Sequence, residues 1–190
     1  MKYFLTFDGA PHPPFTNRIL DILKEQQVHA TFFVEGHRIQ GNETLLKRII
    51  DEGHGLGNHT YSHKVLTEMD SDEAIYEVER CNQELDKACG QVVRAFRPPW
   101  GKIDAEVSEK LAAKGYVLCC WNASVKDFEA PSAEVLAERM FHCLANYRVV
   151  VLHDHVSIVP EALKMVIPRL KTAGVSFERV EDYLPKMNGR

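Results

Sequence analysis

The sequence has no hydrophobic run long enough to cross a lipid bilayer, because its longest apolar stretches are only of strand length. Its first eight residues already follow the pattern of a strand. They contain no basic segment, apolar segment and small-residue cleavage site in the order of a secretory leader. We therefore expect no membrane span and a cytoplasmic protein, with secretion as the alternative if a leader has been trimmed from the chain.

Two further signals are missing, a tract of positive charge and a Cys-x-x-Cys pair. The net charge is −4 and acidic and basic residues are interspersed, so nucleic acid is not an expected partner. The five cysteines are an odd number. Cys81 and Cys89 fall on one predicted helix, whose rise separates them by about 12 Å, too far for a disulfide. We expect reduced, packed thiols rather than a disulfide framework or a cysteine metal site.

What the sequence does contain is an alternation of strand and helix patterns along its whole length. With 190 residues, of which 45% are hydrophobic, we expect a single domain over residues 1–190. Alternation of this kind is typical of an α/β fold with a parallel sheet and crossover helices. Seven strands are predicted, at 3–7, 30–34, a short one ending at 57, 92–96, 116–121, 148–152 and 175–177. Helices are predicted after capping residues Thr16 and Ser71 and over 43–52, 104–114, 132–144 and 160–173. Periodicity leaves a barrel and an open doubly wound sheet both possible.

Two histidines, His59 and His63, follow the third predicted strand and stand four residues apart. If they lie on one helical turn, both imidazoles share a face and can bind one divalent cation. The alternative is a surface loop with two ordinary histidines. The spacing alone does not decide between these interpretations.

Further polar residues follow the other predicted strands, and parallel strands bring such positions to one rim. Asp8 follows the first strand, Arg97 the fourth, Asp127 the fifth and His153 the sixth. Each of them has a structural explanation when taken alone, as a turn cap, an ion pair, a loop cap or a buried histidine. Their joint placement with the histidine pair favours a catalytic rim.

Several short motifs resemble those of polysaccharide deacetylases of the NodB-homology type, carbohydrate esterase family 4. They are Thr6-Phe7-Asp8, Ala30-Thr31-Phe32-Phe33-Val34, His59-Thr60-Tyr61-Ser62-His63, Phe96-Arg97-Pro98-Pro99-Trp100-Gly101 and Val151-Leu152-His153. The resemblance implies a distorted, incomplete (β/α) barrel of about seven parallel strands. It also implies metal-dependent removal of acetyl groups from N-acetylated sugars, with an N-acetylated saccharide or a related small acetylated molecule as substrate. A divalent metal, expected to be Zn²⁺, would be bound by His59 and His63.

The same resemblance implies roles for the remaining motif residues. Asp8 matches the general base and His153 the general acid, while Arg97 would orient Asp8 and Asp127 would orient His153. The substrate would be contacted by Trp100, whose backbone NH is the implied oxyanion donor, and by Phe128 and Leu152.

One departure from the family pattern concerns the metal. The family motif Thr-Phe-Asp-Asp-Gly-Pro reads Thr6-Phe7-Asp8-Gly9-Ala10-Pro11 here, so Gly9 stands where a metal-binding carboxylate is expected. Asp8 itself, His12 or water could fill the gap. Two alternative functions follow: a degenerate relative that binds carbohydrate with weak or no activity, and a metal-independent amidohydrolase of the same superfamily.

Overall fold

A computed structural model describes residues 1–143 and 147–184. They form one sheet whose strand pairs are all parallel, in the order β5-β4-β3-β2-β1-β7-β6, with β8 paired to β1. The strands are β1 (Lys2–Ala10), β2 (Thr31–Val34), β3 (Gly55–Asn58), β4 (Ala95–Phe96), β5 (Val117–Leu118), β6 (Ala123–Ser124), β7 (Tyr147–His153) and β8 (Ser176–Phe177). The sheet curls, and its end strands β5 and β6 do not pair with each other, which confirms the expected incomplete barrel.

Six α-helices in the described residues pack around the sheet. They are α1 (Phe15–Glu25), α2 (Glu43–Asp51), α3 (Ser71–Cys89), α4 (Ala105–Ala113), α5 (Ala133–His142) and α6 (Val159–Thr172). Each is amphipathic and buries one apolar face; α1, for example, buries Ile19, Leu20 and Leu23 completely. Among the described residues, no helix is both long and apolar enough to span a bilayer.

Alternation along β1 divides the core into two layers, since successive side chains of a strand point to opposite faces. Tyr3, Leu5 and Phe7 belong to the large cluster under the helices. Phe4 belongs to a smaller cluster inside the curled sheet, with Phe33 as a neighbour. Asp8 has the same parity as Phe4, so the alternation that buries Phe4 inside the sheet also directs Asp8 toward the mouth of the barrel.

The structure corrects several local predictions. The fourth and fifth strands are only two residues long, and β6 was not predicted at all. Thr16 lies inside α1 instead of capping it, and the cap of α3 is Asp70, whose side chain accepts from the backbone NH groups of Asp72 and Glu73. The predicted end of the fifth helix, Leu144, lies outside the described residues. All five cysteines are free, as expected.

Candidate active site

The predicted rim residues come together at the carboxyl end of the sheet. Asp8 and His153 are register partners on the paired strands β1 and β7. His59 follows β3 directly, and Arg97 follows β4. Asp127 lies three residues beyond β6 and binds His153. Five separate chain segments therefore contribute to one site, as the parallel topology requires.

Arg97 and Asp8 form a buried ion pair in which Nη1 lies 2.6 Å from Oδ1. Both residues are almost completely inaccessible to solvent. The same guanidinium donates to Thr6 Oγ1 and to the carbonyl of Cys119, and it lies over the Phe33 ring at 4.0 Å. Burial opposes ionisation of Asp8, but the charges of Arg97 and then His59 and His153 hold the pKa of its carboxyl below the usual range. The carboxylate is thus kept ionised and fixed in direction.

His59 is oriented by the same arginine through the backbone. Its Nδ1 lies 2.7 Å from the carbonyl oxygen of Arg97, which can only accept, so Nδ1 carries the proton and donates. The other nitrogen, Nε2, then has a free lone pair and lies 3.8 Å from Oδ2 of Asp8. This is the arrangement that a metal-binding histidine usually has, with its second nitrogen held by a backbone carbonyl.

The prediction that His59 and His63 lie on one helical turn was wrong. The residues after β3 form a loop in which Thr60 (φ 68°) and His63 (φ 56°) have left-handed backbone. The backbone NH of His63 donates to Thr60 Oγ1, which stabilises the loop. The two imidazole ring centres nevertheless lie 4.9 Å apart. Burial and the neighbouring His59 lower the pKa of His63, so the ring is neutral and able to bind a metal.

The second catalytic candidate, His153, is held by Asp127. The two Asp127 oxygens accept from the backbone NH of His153 at 2.6 Å and from its Nδ1 at 3.0 Å. Burial alone would lower the pKa of the imidazole, but the hydrogen bond and charge of Asp127, with smaller contributions from Asp8 and Asp154, raise it. His153 is therefore prepared to hold a proton that it can donate.

The donor chemistry of His59 and His63 fits a divalent cation, but a third protein ligand is not in place. Within the described parts of the chain, no three His, Cys, Asp or Glu side chains are grouped so that they could hold a metal ion. Gly9, at the position of the family's carboxylate, is the extra residue of a bulge: Asp8 pairs with Phe33 and Ala10 pairs with Val34. Its φ of +96° is a conformation that favours glycine.

The space beside Gly9 is lined by three polar side chains that were not among the predicted site residues. A Cβ on Gly9 would lie 3.4 Å from His155 Nδ1, 3.5 Å from Asp154 Oδ1 and 3.5 Å from Glu35 Oε1. The prediction missed Glu35, although it directly follows the buried strand β2, the same signal that identified the other rim residues. His12, considered as a substitute ligand, stacks on Phe15 and is not among these three nearest neighbours.

Two of the three predicted substrate contacts lie at the mouth of the site. Trp100 is 56% exposed with its ring 4.5 Å from that of His63, and Phe128 is 65% exposed with its ring 5.7 Å from that of His153. The third predicted substrate contact, Leu152, was wrong. It points to the opposite face of β7 from His153 and is completely buried in the core under the helices. It cannot line the site.

The fold and the rim define an incomplete parallel (β/α) barrel in which a buried carboxylate, Asp8, and an imidazole, His153, lie on adjacent strands beside two further imidazoles. A sequence profile of the polysaccharide deacetylase family matches residues 2–119. The protein belongs to the polysaccharide deacetylase family. Enzymes of this family generally depend on a divalent metal ion.

Individual relatives agree with this assignment. A peptidoglycan-N-acetylglucosamine deacetylase of Bacillus cereus is 32% identical over 177 residues, which cover 91% of this chain and 64% of that protein. For the peptidoglycan-N-acetylmuramic acid deacetylase PdaC of Bacillus subtilis the identity is 31% over 170 residues, covering 90% of this chain and 36% of the relative. The chain thus spans less than two thirds of the length of either relative.

Solved structures show the same fold. The solved structure of PdaC superposes with a TM-score of 0.89 at 30% identity, covering 95% of this chain and 88% of that one. A protein from Bacillus anthracis described as a pseudoenzyme of the same carbohydrate esterase family superposes with a TM-score of 0.90 at 30% identity, covering 97% of this chain and 66% of that one. The chain therefore resembles both named enzymes and a named pseudoenzyme.

Proposed function

We propose that this protein is a metal-dependent hydrolase that removes acetyl groups from N-acetylated sugars. The observation that supports this most strongly is the pairing of Asp8 with His153 across β1 and β7, beside the two imidazoles. Arg97 lowers the pKa of Asp8 and so favours its ionised form, and Asp127 raises the pKa of His153 and so favours its protonated form. Hydrolysis of an amide requires a base that accepts a proton from water and an acid that donates one to the leaving nitrogen, and adjacent strands hold these two groups close together.

His59 and His63 would hold the divalent ion, with Zn²⁺ as the expected metal because neutral imidazoles are its common ligands. The ion would supply Lewis-acid activation of water and of the amide carbonyl. The hydrogen bond from His59 to the Arg97 carbonyl fixes the ring so that Nε2 faces the site. The left-handed residues Thr60 and His63 turn the second ring toward the first.

The proton transfers can be assigned to specific atoms. Oδ2 of Asp8 has no ion pair with Arg97, faces His59 and would accept the proton of the attacking water. The water oxygen bonds to the acetyl carbon, and the carbon–nitrogen bond then breaks. Nε2 of His153 would donate its proton to the departing sugar nitrogen, because Nδ1 is occupied by Asp127. The products are acetate and an amino sugar.

The substrate class is proposed from the relatives and from the mouth of the site. The similar proteins are named for deacetylation of N-acetylglucosamine or N-acetylmuramic acid in peptidoglycan. The exposed rings of Trp100 and Phe128 flank the rim and can pack against the apolar face of a sugar. We therefore propose an N-acetylhexosamine-containing saccharide as the substrate.

A second candidate function is a degenerate family member that binds carbohydrate without turning it over. Gly9 provides no carboxylate, and the similarity to a named pseudoenzyme shows that this fold also occurs without activity. The two functions predict different behaviour toward zinc.

The discriminating experiment measures zinc binding by calorimetry and acetate release from chitooligosaccharides. We expect the wild type to bind zinc and release acetate, His63→Ala to lose both, and Asp8→Asn to lose activity while still binding zinc. His142→Ala, which changes a histidine whose side chain is 79% exposed, is the matched control and should behave like the wild type. Sugar binding without zinc binding or acetate release would favour the second candidate, a degenerate family member that binds carbohydrate without turning it over. Acetate release that survives a chelator would favour the metal-independent amidohydrolase.

A further inference from the structure

Glu35 is a buried acid at the same rim for which the family motifs provide no role. It directly follows β2, is only 5% exposed, and its backbone NH donates to the carbonyl of Ala10, immediately after the Gly9 bulge. Buried carboxylates are costly unless they are paired or bind a cation. Glu35 is paired through one oxygen only: Oε2 accepts from Arg38 Nε at 2.6 Å.

The other oxygen of Glu35 faces the place where the family carboxylate is missing. Oε1 lies 3.5 Å from the position that a Cβ of residue 9 would take. No hydrogen bond to Oε1 occurs in the described part of the chain, so this oxygen remains available as a ligand. Glu35 also lies beside the loop that carries the two histidines, because Val34 pairs with Asn58 and the backbone NH of Gly36 donates to the carbonyl of Thr60. Glu35 thus lies between the backbone at residues 9 and 10 and the loop that carries the two imidazoles.

We propose that Glu35 supplies the third protein ligand of the metal site, in place of the carboxylate that Gly9 does not provide. This inference rests on the proposed function, because it needs the ion at His59 and His63. The absence of a side chain at Gly9 is then required, because a side chain there would occupy the space into which Oε1 of Glu35 must turn to bind the ion. The ligand comes from β2 instead of β1.

The other neighbours of Gly9 are less suitable. Asp154 is fully buried, accepts from Thr16 through Oδ2, and burial raises the pKa of its carboxyl to about 6, so it is partly protonated near neutral pH. His155 lies next to His12 and His153, with ring centres 5.7 Å from each. Asp8 is already bound to Arg97 and is needed as the base. Glu35 combines an oxygen that accepts no hydrogen bond from the described residues with a position beside the loop that carries the two histidines.

The test is a zinc titration of the full, chelator-treated protein, which does not depend on activity. We expect Glu35→Gln to weaken zinc affinity by about 10- to 100-fold or more, because even the loss of outer partners of a metal ligand has effects of that size. Glu52→Gln is the matched control, since Glu52 is also half of a glutamate–arginine pair, with Arg48, and lies away from the rim. Its zinc affinity should equal that of the wild type. Arg38→Gln should tighten binding, because the guanidinium no longer competes for the carboxylate.

The outcomes separate this inference from the proposed function. If His63→Ala loses zinc while Glu35→Gln binds it like the wild type, the third ligand is not Glu35 and the proposed function stands. A wild type that binds no zinc overturns both. Loss of affinity in Asp154→Asn with retention in Glu35→Gln assigns the ligand to Asp154. If Glu35→Gln does not fold, the Arg38→Gln variant decides, since unchanged or weaker binding there contradicts the proposal. The zinc-dependent rise in Tm gives a second readout for each variant.

Discussion

Arg97 holds two parts of the site at once: its Nη1 lies 2.6 Å from Oδ1 of Asp8, and its carbonyl oxygen accepts from Nδ1 of His59 at 2.7 Å. The side chain orients the proposed base and the main chain orients a proposed metal ligand. Arg97 directly follows β4, Asp8 lies on β1 and His59 directly follows β3. Because all three residues are attached to strands of one sheet, the sheet and not a flexible loop fixes the distance between the proposed base and this metal ligand.

The first prediction is that Arg97→Met shifts the acidic limb of the pH–activity profile to higher pH. Arg97 lowers the pKa of Asp8, so its loss lets Asp8 take up a proton at a higher pH than in the wild type. Ionised Asp8 stabilises the wild-type fold at neutral pH, and this contribution is lost as the pH falls through its lowered pKa. Removing one partner of a buried pair should cost about 3 to 5 kcal/mol of unfolding free energy.

The control for this variant is Arg18→Met, which breaks an ion pair with Glu161 whose two side chains are about half exposed. Exposed pairs contribute only about 0 to 1 kcal/mol, so neither the profile nor denaturant unfolding should change much. An unchanged acidic limb in Arg97→Met would show that Asp8 is not the group whose ionisation limits activity.

The second prediction concerns the alkaline limb. Asp127→Asn should move it to lower pH, because Asp127 is the group that raises the pKa of His153. The paired imidazolium stabilises the wild-type fold at low pH, and that contribution is lost as the pH rises through the raised pKa. Since general acid catalysis contributes about 10²- to 10⁴-fold, kcat near neutral pH should fall by a substantial part of that range. Steady-state kinetics across pH measures both effects.

Glu129→Gln is the matched control, because Glu129 is an exposed acid in the same turn and pairs with Lys126, which is also exposed. Its profile should overlay that of the wild type. If Asp127→Asn lowers kcat without moving the alkaline limb, Asp127 positions the imidazole but does not set its protonation.

The sequence predicted the rim well because its residues follow long or strongly apolar strands. Asp8 lies near the end of β1 and His153 is the last residue of β7. These are the two longest strands in the described residues, and the position of Asp8 and His153 at a common edge follows from parallel pairing alone. Strands β4, β5 and β6 are only two residues long, so they depend on pairing with neighbours that no local pattern reveals.

Other errors have specific physical causes. The histidine spacing was interpreted as a helical turn, whereas left-handed backbone at Thr60 and His63 brings the rings together within a loop. Leu152 was assigned to the site although strand alternation places it on the face opposite His153. Glu35 went unnoticed because an acid after a strand is common in solvated turns, and only the fold shows that it is buried beside Gly9.

The third prediction tests the environment of Gly9 by comparing Gly9→Asp with Gly41→Asp. Both glycines have a positive φ, +96° and +84°, so both substitutions should lose about 1 to 2 kcal/mol through backbone strain. Gly41 has no atom within 4 Å of an added Cβ, whereas Gly9 would place a new carboxylate beside Glu35 and Asp154. Gly9→Asp should therefore have the lower Tm in the absence of metal, and the difference should shrink toward acidic pH as the carboxyls take up protons. Equal Tm values at neutral pH would show that the acids near Gly9 do not repel the new side chain.

The last prediction concerns the exposed ring of Trp100. The ring is 56% exposed and its centre lies 4.5 Å from that of His63. In this position it would cover one face of a sugar bound over the site. Trp100→Ala should lose about 1 kcal/mol of binding from one aromatic contact, so KM for a chitooligosaccharide should rise about fivefold. Tyr76→Ala is the matched control, since Tyr76 on α3 is equally exposed but is not at the rim. Because the loss concerns a ring on the surface, Tm should change little in either variant. A rise in KM of the same size in both variants would mean that Trp100 contributes no more than any exposed aromatic surface, and the sugar would then have to approach the site from the Phe128 side.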